Sequence, residues 1–137
     1  MRVSNKINPN LIFNVVNQTA YSYINLQSLK EETFGDKEIL NTILELFVEG
    51  IDEYLATIEK ELPTKNWQPL FQETHKIKPN IAMFGIASLV DPILELETCF
   101  RKEMHLEKID DLVELVVQNL IHVKKEIQFE LNVMSHG

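Results

Sequence analysis

Apolar residues in this chain recur at steps of three and four along most of its length, and that spacing constrains the fold more than any other feature. A helix turns about 100° per residue, so such steps line one face, whereas a half-buried strand needs alternation by two. Ile39, Ile43, Phe47, Ile51, Leu55, Ile58 and Leu62 make a first stripe. Trp67, Leu70, Thr74, Ile77, Ile81 and Phe84 make a second, and Ile86, Leu89, Ile93, Leu96 and Phe100 a third. Ile109, Leu112, Val116, Leu120, Val123, Ile127 and Leu131 make the last. No segment alternates strongly enough to compete, and 4 glycines and 5 prolines in 137 residues leave helix little interrupted.

Stop and start signals divide the stripes. Asp36 after Gly35 predicts an N-cap, and Leu62-Pro63 closes that helix. Asn66 is the expected cap of the next helix, which Gly85 ends as a residue able to take positive φ. Pro92 lies inside the third stripe, predicting either a kink or a start at an Asp91 cap. A short helix is expected from Ala20 to Glu31. Four long amphipathic helices with short connections predict an all-α fold: an antiparallel up-down four-helix bundle with an additional short N-terminal helix. The expected organisation is an arm or linker over residues 1–19, the bundle over 20–132 and a tail over 133–137.

Composition narrows the function classes. Hydrophobic residues at 45% and charged residues at 25% suit a chain that buries a core in water, and no apolar run is long enough to span a membrane. The first residues, MRVSNKINPNLIF, lack a secretory pattern. A single cysteine, Cys99, excludes a disulfide within the chain and predicts a reducing, cytoplasmic setting. A net charge of −8 argues against unselective nucleic-acid binding, which needs a basic face. Residues 63–84 nevertheless carry a net +2 between segments of −8 (31–62) and −5 (85–137), so the only basic stretch within the core of the chain surrounds His75. A short positive segment in an acidic chain suits an anion.

On a helical wheel, His75 points about 130° from the second stripe, which predicts an exposed side chain in mid-helix. Phe71, Pro79 and Ala82 share its side, and Lys78 stands one turn along. Pro79 withholds the N–H that would bond the carbonyl of residue 75 and crowds that same carbonyl. His75 and Glu97 are nearly equidistant from the reversal at Gly85-Ile86, so an antiparallel hairpin brings them face to face. Glu97 could then accept a bond from Nδ1–H, leaving the lone pair of Nε2 outward as a nucleophile. A histidine alone on a helix is ordinarily a solvated surface residue; it is the joint spacing to Lys78, Gly85 and Glu97 that singles this one out. His105, His122 and His136 have no such company and are not paired as metal ligands, and Cys99 is expected to pack as a small hydrophobe.

His75-Lys76-Ile77-Lys78-Pro79, followed by Gly85, Leu89 and Leu96-Glu97, resembles the histidine-containing phosphotransfer (HPt) domain, whose usual pattern is H-x-L-K-G. The likeness covers residues 24 to 131, with Pro79 standing where most members carry glycine. It implies a four-helix bundle in which His75 accepts a phosphoryl group, Lys78 stabilises it and Glu97 hydrogen-bonds the imidazole. Phe71, Gln72, Pro79, Ala82, Met83 and Gly85 are the expected partner-binding residues. The implied partners are response-regulator receiver domains and a hybrid histidine kinase, with the chain itself a monomer that meets neither nucleic acid nor membrane. No cofactor or metal is expected on this chain: Mg²⁺ belongs to the receiver, since no carboxylates cluster near His75. Nothing resembles a glycine-rich nucleotide lid, so a phosphocarrier is expected and not an ATP-dependent kinase. The alternative is a helical adaptor that binds a partner through the same patch and transfers nothing. A hydrolase using His75 as general base lacks a nearby serine or cysteine nucleophile.

Overall fold

The computed structural model describes residues 21–136; the arm expected over residues 1–19 lies outside them. Among the described residues all regular structure is helical. The helices are α1 (Gln27–Glu32), α2 (Lys37–Glu61), α3 (Trp67–Met83), α4 (Ala87–Lys102) and α5 (Ile109–His136), the last preceded by a single 3₁₀ turn at Leu106–Lys108. The four long helices pack in a ring: α2 on α3, α3 on α4, α4 on α5 and α5 back on α2. The expected tail is therefore mostly helix, since α5 runs through His136.

The predicted stripes meet in one core. Leu70, Thr74, Ile77 and Ile81 of α3 are buried, as are Leu89, Ile93, Leu96 and Phe100 of α4 and Val116, Leu120, Val123 and Ile127 of α5. Fully burying an aliphatic side chain of this size is worth about 1.5–3 kcal/mol, which offsets the entropy of ordering the chain. On α2 the phase of the stripe differs from expectation. The core face is Leu40, Leu44, Phe47, Ile51, Tyr54 and Ile58, while Ile39 is exposed and Ile43 and Leu55 lie at the edge. Two apolar rows one residue apart run along this helix, and the ring packing selects the row that meets α3 and α5 together.

Tyr54 and Thr74 form a buried polar pair in that core. Thr74 donates its one hydroxyl proton to the carbonyl of Leu70 at 2.8 Å, so the Tyr54 hydroxyl, 3.0 Å from Thr74 Oγ1, is the donor to it. Burial pushes the Tyr54 hydroxyl above its ordinary value, so it keeps the proton it donates. This pair fixes the core side of α3 one residue before His75.

Cap residues act as expected at Asp36, whose Oδ1 takes the N–H groups of Glu38 and Ile39 at 3.0 and 3.1 Å. Asn66 instead sends its amide to Glu61, and α3 begins without a side-chain cap. Helix α4 starts at Ala87 and not at an Asp91 cap, with Pro92 in its second turn. So early in a helix, proline removes a bond from only the first turn's carbonyls, and the helix continues through it.

The short N-terminal helix is half the predicted length. Residues 21–26 form an irregular strap with bends at Ser22 and Tyr23, and only Gln27–Glu32 is helical. The reason is a contact about a hundred residues away. Glu126 of α5 accepts the N–H groups of Ser22, Tyr23 and Ile24 at 2.7, 3.1 and 3.0 Å, drawing those donors onto one carboxylate. Tyr23 stacks on His122, and Asn25 donates to the carbonyl of Phe84 at 2.9 Å. The strap thus ties α5 to the reversal between α3 and α4.

Candidate functional site

The site is built on the α3–α4 pair. Gly85 takes φ +61° at the reversal, and a Cβ there would stand 2.9 Å from both Cβ and O of Asn25, so only glycine fits beneath the strap. The turn returns α4 along α3 and places Glu97 opposite His75. Leu96 and Phe100, both buried, lock α4 into the core, and Glu97 is thereby held at the core's edge, its side chain only 9% exposed.

Glu97 receives two groups. Its Oε2 lies 2.6 Å from Nδ1 of His75, and its Oε1 takes Nζ of Lys78 at 2.9 Å. Burial by itself would push the Glu97 carboxyl up, but the hydrogen bonds from Lys78 and His75, with their charges, outweigh it and hold the group below its ordinary value. Glu97 is therefore ionised at neutral pH and can only accept. Nδ1 must then carry the proton, and in a neutral ring Nε2 is left with its lone pair. The His75 side chain is 64% exposed, so this lone pair is reachable from solvent. The arrangement supplies an oriented nitrogen nucleophile with a cation within one helical turn.

The contact between His75 and Glu97 is the one that the hairpin spacing predicts. The Lys78 contact is different: the lysine expected at the phosphoryl oxygens is held by the carboxylate that orients the imidazole. Phe71, half-buried, stacks on the imidazole, with ring centroids 5.7 Å apart. Gln72, Pro79, Ala82 and Met83 are exposed on α3, and the helix runs unbroken through Pro79. Gly85 stands ten residues beyond His75, about 15 Å along the axis, where it faces the strap.

Two exposed residues on α4 went unnoticed in the sequence. Val90 and Leu94 precede Glu97 by seven and three residues, share its face of the helix and are open to solvent. The available signal was their spacing from Glu97 off the buried stripe. The other histidines stand elsewhere: His105 lies 3.8 Å from Glu107 in the α4–α5 connection, His122 lies under Tyr23, and His136 bonds the carbonyl of Asn132. Cys99 is buried. Among the described residues, no group of three His, Cys, Asp or Glu side chains is arranged to hold a metal ion, and no helix is long and apolar enough to cross a membrane.

The described residues form a helical bundle with one oriented, exposed histidine beside a lysine–carboxylate pair. Comparison with known families supplies the particular family. The family model of the Hpt domain matches residues 42–128, well over half of the chain, and the chain belongs to that family. Its members serve phosphotransfer in phosphorelays, where they meet receiver domains and kinases. No curated protein and no solved structure matches the chain.

Proposed function

We propose that this protein is the phosphohistidine carrier of a multistep two-component phosphorelay, with His75 as the phosphoacceptor. The lone pair of Nε2 attacks the phosphorus of a receiver's aspartyl phosphate. The Nε2–P bond forms as the P–O bond breaks, and the electron pair of that bond returns to the aspartate carboxylate. The Nδ1 proton stays in its bond to Glu97, so the ring carries the positive charge that the transfer creates. Lys78 has a flexible four-carbon stem, and its ammonium exchanges one oxygen of Glu97 for those of the phosphoryl group. A second receiver's aspartate then takes the group by the reverse displacement. Mg²⁺ belongs to the receivers, and a hybrid histidine kinase is the upstream source.

The observation that carries this reading is the 2.6 Å approach of Nδ1 to a buried carboxylate on an otherwise exposed ring. The docking surface proposed for the receiver is Phe71, Gln72, Pro79, Ala82 and Met83 of α3, joined by Val90 and Leu94 of α4. Contacts between neighbouring helices, Tyr54 with Thr74, His75 with Glu97 and Ser88 with Asn119, support the antiparallel up-down order of the bundle. We take the protein to act as a cytoplasmic monomer.

One exposed residue favours a second reading. Pro79 occupies the position where the resemblance places glycine, and a ring there suits an adaptor that binds without transferring. Incubation with a phosphorylated receiver separates the two readings. His75→Gln is expected to abolish acid-labile labelling, while His105→Gln and His122→Gln keep it. Labelling that survives in His75→Gln with unchanged circular dichroism would remove His75 from the reaction.

A further inference from the structure

Glu97 holds the imidazole of His75 by one edge only. A single hydrogen bond leaves the ring free to pivot about it, and an exposed side chain has little else to stop it. The face of the ring is held by Phe71, one turn earlier on α3. Its ring packs against the imidazole with planes 25° apart and centroids 5.7 Å apart, while its own body rests on the core. The charged groups that meet His75 are Glu97 from α4, directly, and Lys78 through the same carboxylate. Phe71 is the apolar member of this set, its ring stacked on the imidazole with an offset.

We propose that Phe71 is a positioning residue for His75, holding the imidazole in the plane where Nδ1 meets Glu97 and Nε2 faces the partner. The same contact acts on the product. Attack by Nε2 turns a neutral imidazole into a phosphorylated imidazolium whose charge is shared with the Nδ1–H···Glu97 bond. A cation within about 6 Å of an aromatic centroid is attracted by the negative face of that ring. Phe71 therefore stabilises the phosphorylated form over the free one and shifts the transfer equilibrium toward His75. This second effect rests on the phosphoacceptor reading; the positioning does not.

Phe71→Leu keeps apolar bulk against the core and removes the π face, and Phe71→Trp returns one. Nitrogen-15 shifts of the His75 ring in the unphosphorylated protein read the share of the Nδ1–H tautomer. Label on His75 at equilibrium with a phosphorylated receiver reads the stabilisation of the product. The leucine variant, with circular dichroism unchanged, is expected to lose the single-tautomer signature and to hold about two- to fivefold less label. The tryptophan variant is expected to recover both. A leucine variant with the wild-type tautomer and label overturns the proposal, and so does a loss that tryptophan leaves unrepaired, since that marks apolar packing alone. If wild-type protein takes no label, the phosphoacceptor reading fails, and the tautomer comparison still decides whether Phe71 positions the ring.

Discussion

His75 and Glu97 stand 22 residues apart in the chain and 2.6 Å apart in space, and the second oxygen of the same carboxylate holds Lys78. One nearly buried side chain thus sets the tautomer of the His75 ring and the resting place of the cation beside it. The imidazole and the ammonium share a single anchor, so a change at Glu97 reaches both. Under the proposed phosphoacceptor role, a phosphoryl group arriving at Nε2 would meet a carboxylate whose charge Lys78 already offsets, which lowers the repulsion between the two anions.

This shared anchor orders the effects of substitution. A hydrogen bond to a charged group contributes about 1.5–3 kcal/mol where water is excluded, and less at Lys78, whose side chain is 36% exposed. Lys78→Ala is expected to slow transfer about tenfold, on 1.4 kcal/mol per decade. Glu97→Ala is expected to slow it further, because it releases the lysine and the imidazole together. Glu97→Gln, which keeps an acceptor for Nδ1 and drops the ion pair, should fall between wild type and alanine. Single-turnover transfer from a phosphorylated receiver measures all three. A Glu97→Ala rate equal to wild type would show that the anchor has no part in the chemistry.

The same carboxyl predicts an acid limb of stability. Its folded-state value lies below the ordinary 4.5, so the unfolded chain binds this proton more readily than the folded one. The contribution of the paired carboxylate is whole above the ordinary value and is lost as pH falls through the depressed one. Wild-type protein is therefore expected to lose more stability on acidification through that window than Glu97→Gln, which has no such group to protonate. Urea midpoints of the two proteins, followed from neutral pH downward, provide the comparison. Curves that fall in parallel would assign the acid loss to other groups.

The sequence made the His75–Glu97 contact legible because a helical hairpin needs only its turn to be located, and Gly85 marks it. Three other features required the folded chain. On α2, Ile39 and Ile43 run beside Leu40 and Leu44 at the same spacing, and only packing against α3 and α5 decides which row is buried. The strap at residues 21–26 is not helical because Glu126 gathers its N–H groups from 102 to 104 positions away, a distance no local propensity reports. Lys78 has a lone-charge look in sequence, and its pairing with Glu97 depends on the angle at which α4 crosses α3. Fold class followed from periodicity, whereas the wiring of the site followed from tertiary contacts.

Pro79 lies inside α3 without breaking it. The carbonyl of His75 thereby lacks its usual partner four residues on, and an interior proline costs about 3 kcal/mol relative to alanine. Pro79→Ala restores the bond and is expected to stabilise the protein by about 1–3 kcal/mol. Pro79→Gly should gain less, since glycine itself costs about 1 kcal/mol in a helix. Transfer by the glycine variant is expected to stay within about tenfold of wild type, because the Nδ1–Glu97 contact does not involve residue 79. Wild-type protein that binds a phosphorylated receiver yet takes label only as the glycine variant would favour the adaptor.

Two glycines provide opposite expectations from the same substitution. Gly50 lies in the middle of α2, and a Cβ there meets nothing within 4 Å. Gly50→Ala therefore removes backbone freedom from the unfolded chain at no steric cost and is expected to stabilise the protein by about 1 kcal/mol. Gly85 has φ +61°, and its Cβ would press on Asn25 at 2.9 Å. Gly85→Ala must bear a left-handed backbone, about 1–3 kcal/mol, and displace the strap besides. Because Asn25 is bonded to the carbonyl of Phe84, the displacement loosens the turn that aims Glu97 at His75. Adding Asn25→Gly to Gly85→Ala removes the Cβ contact but neither the Asn25 carbonyl contact nor the strain in φ, so it is expected to recover only part of the loss. Urea midpoints for the three variants test the scheme. Equal shifts at positions 50 and 85, or full recovery in the double variant, would mean that the backbone angle at the reversal carries none of the cost.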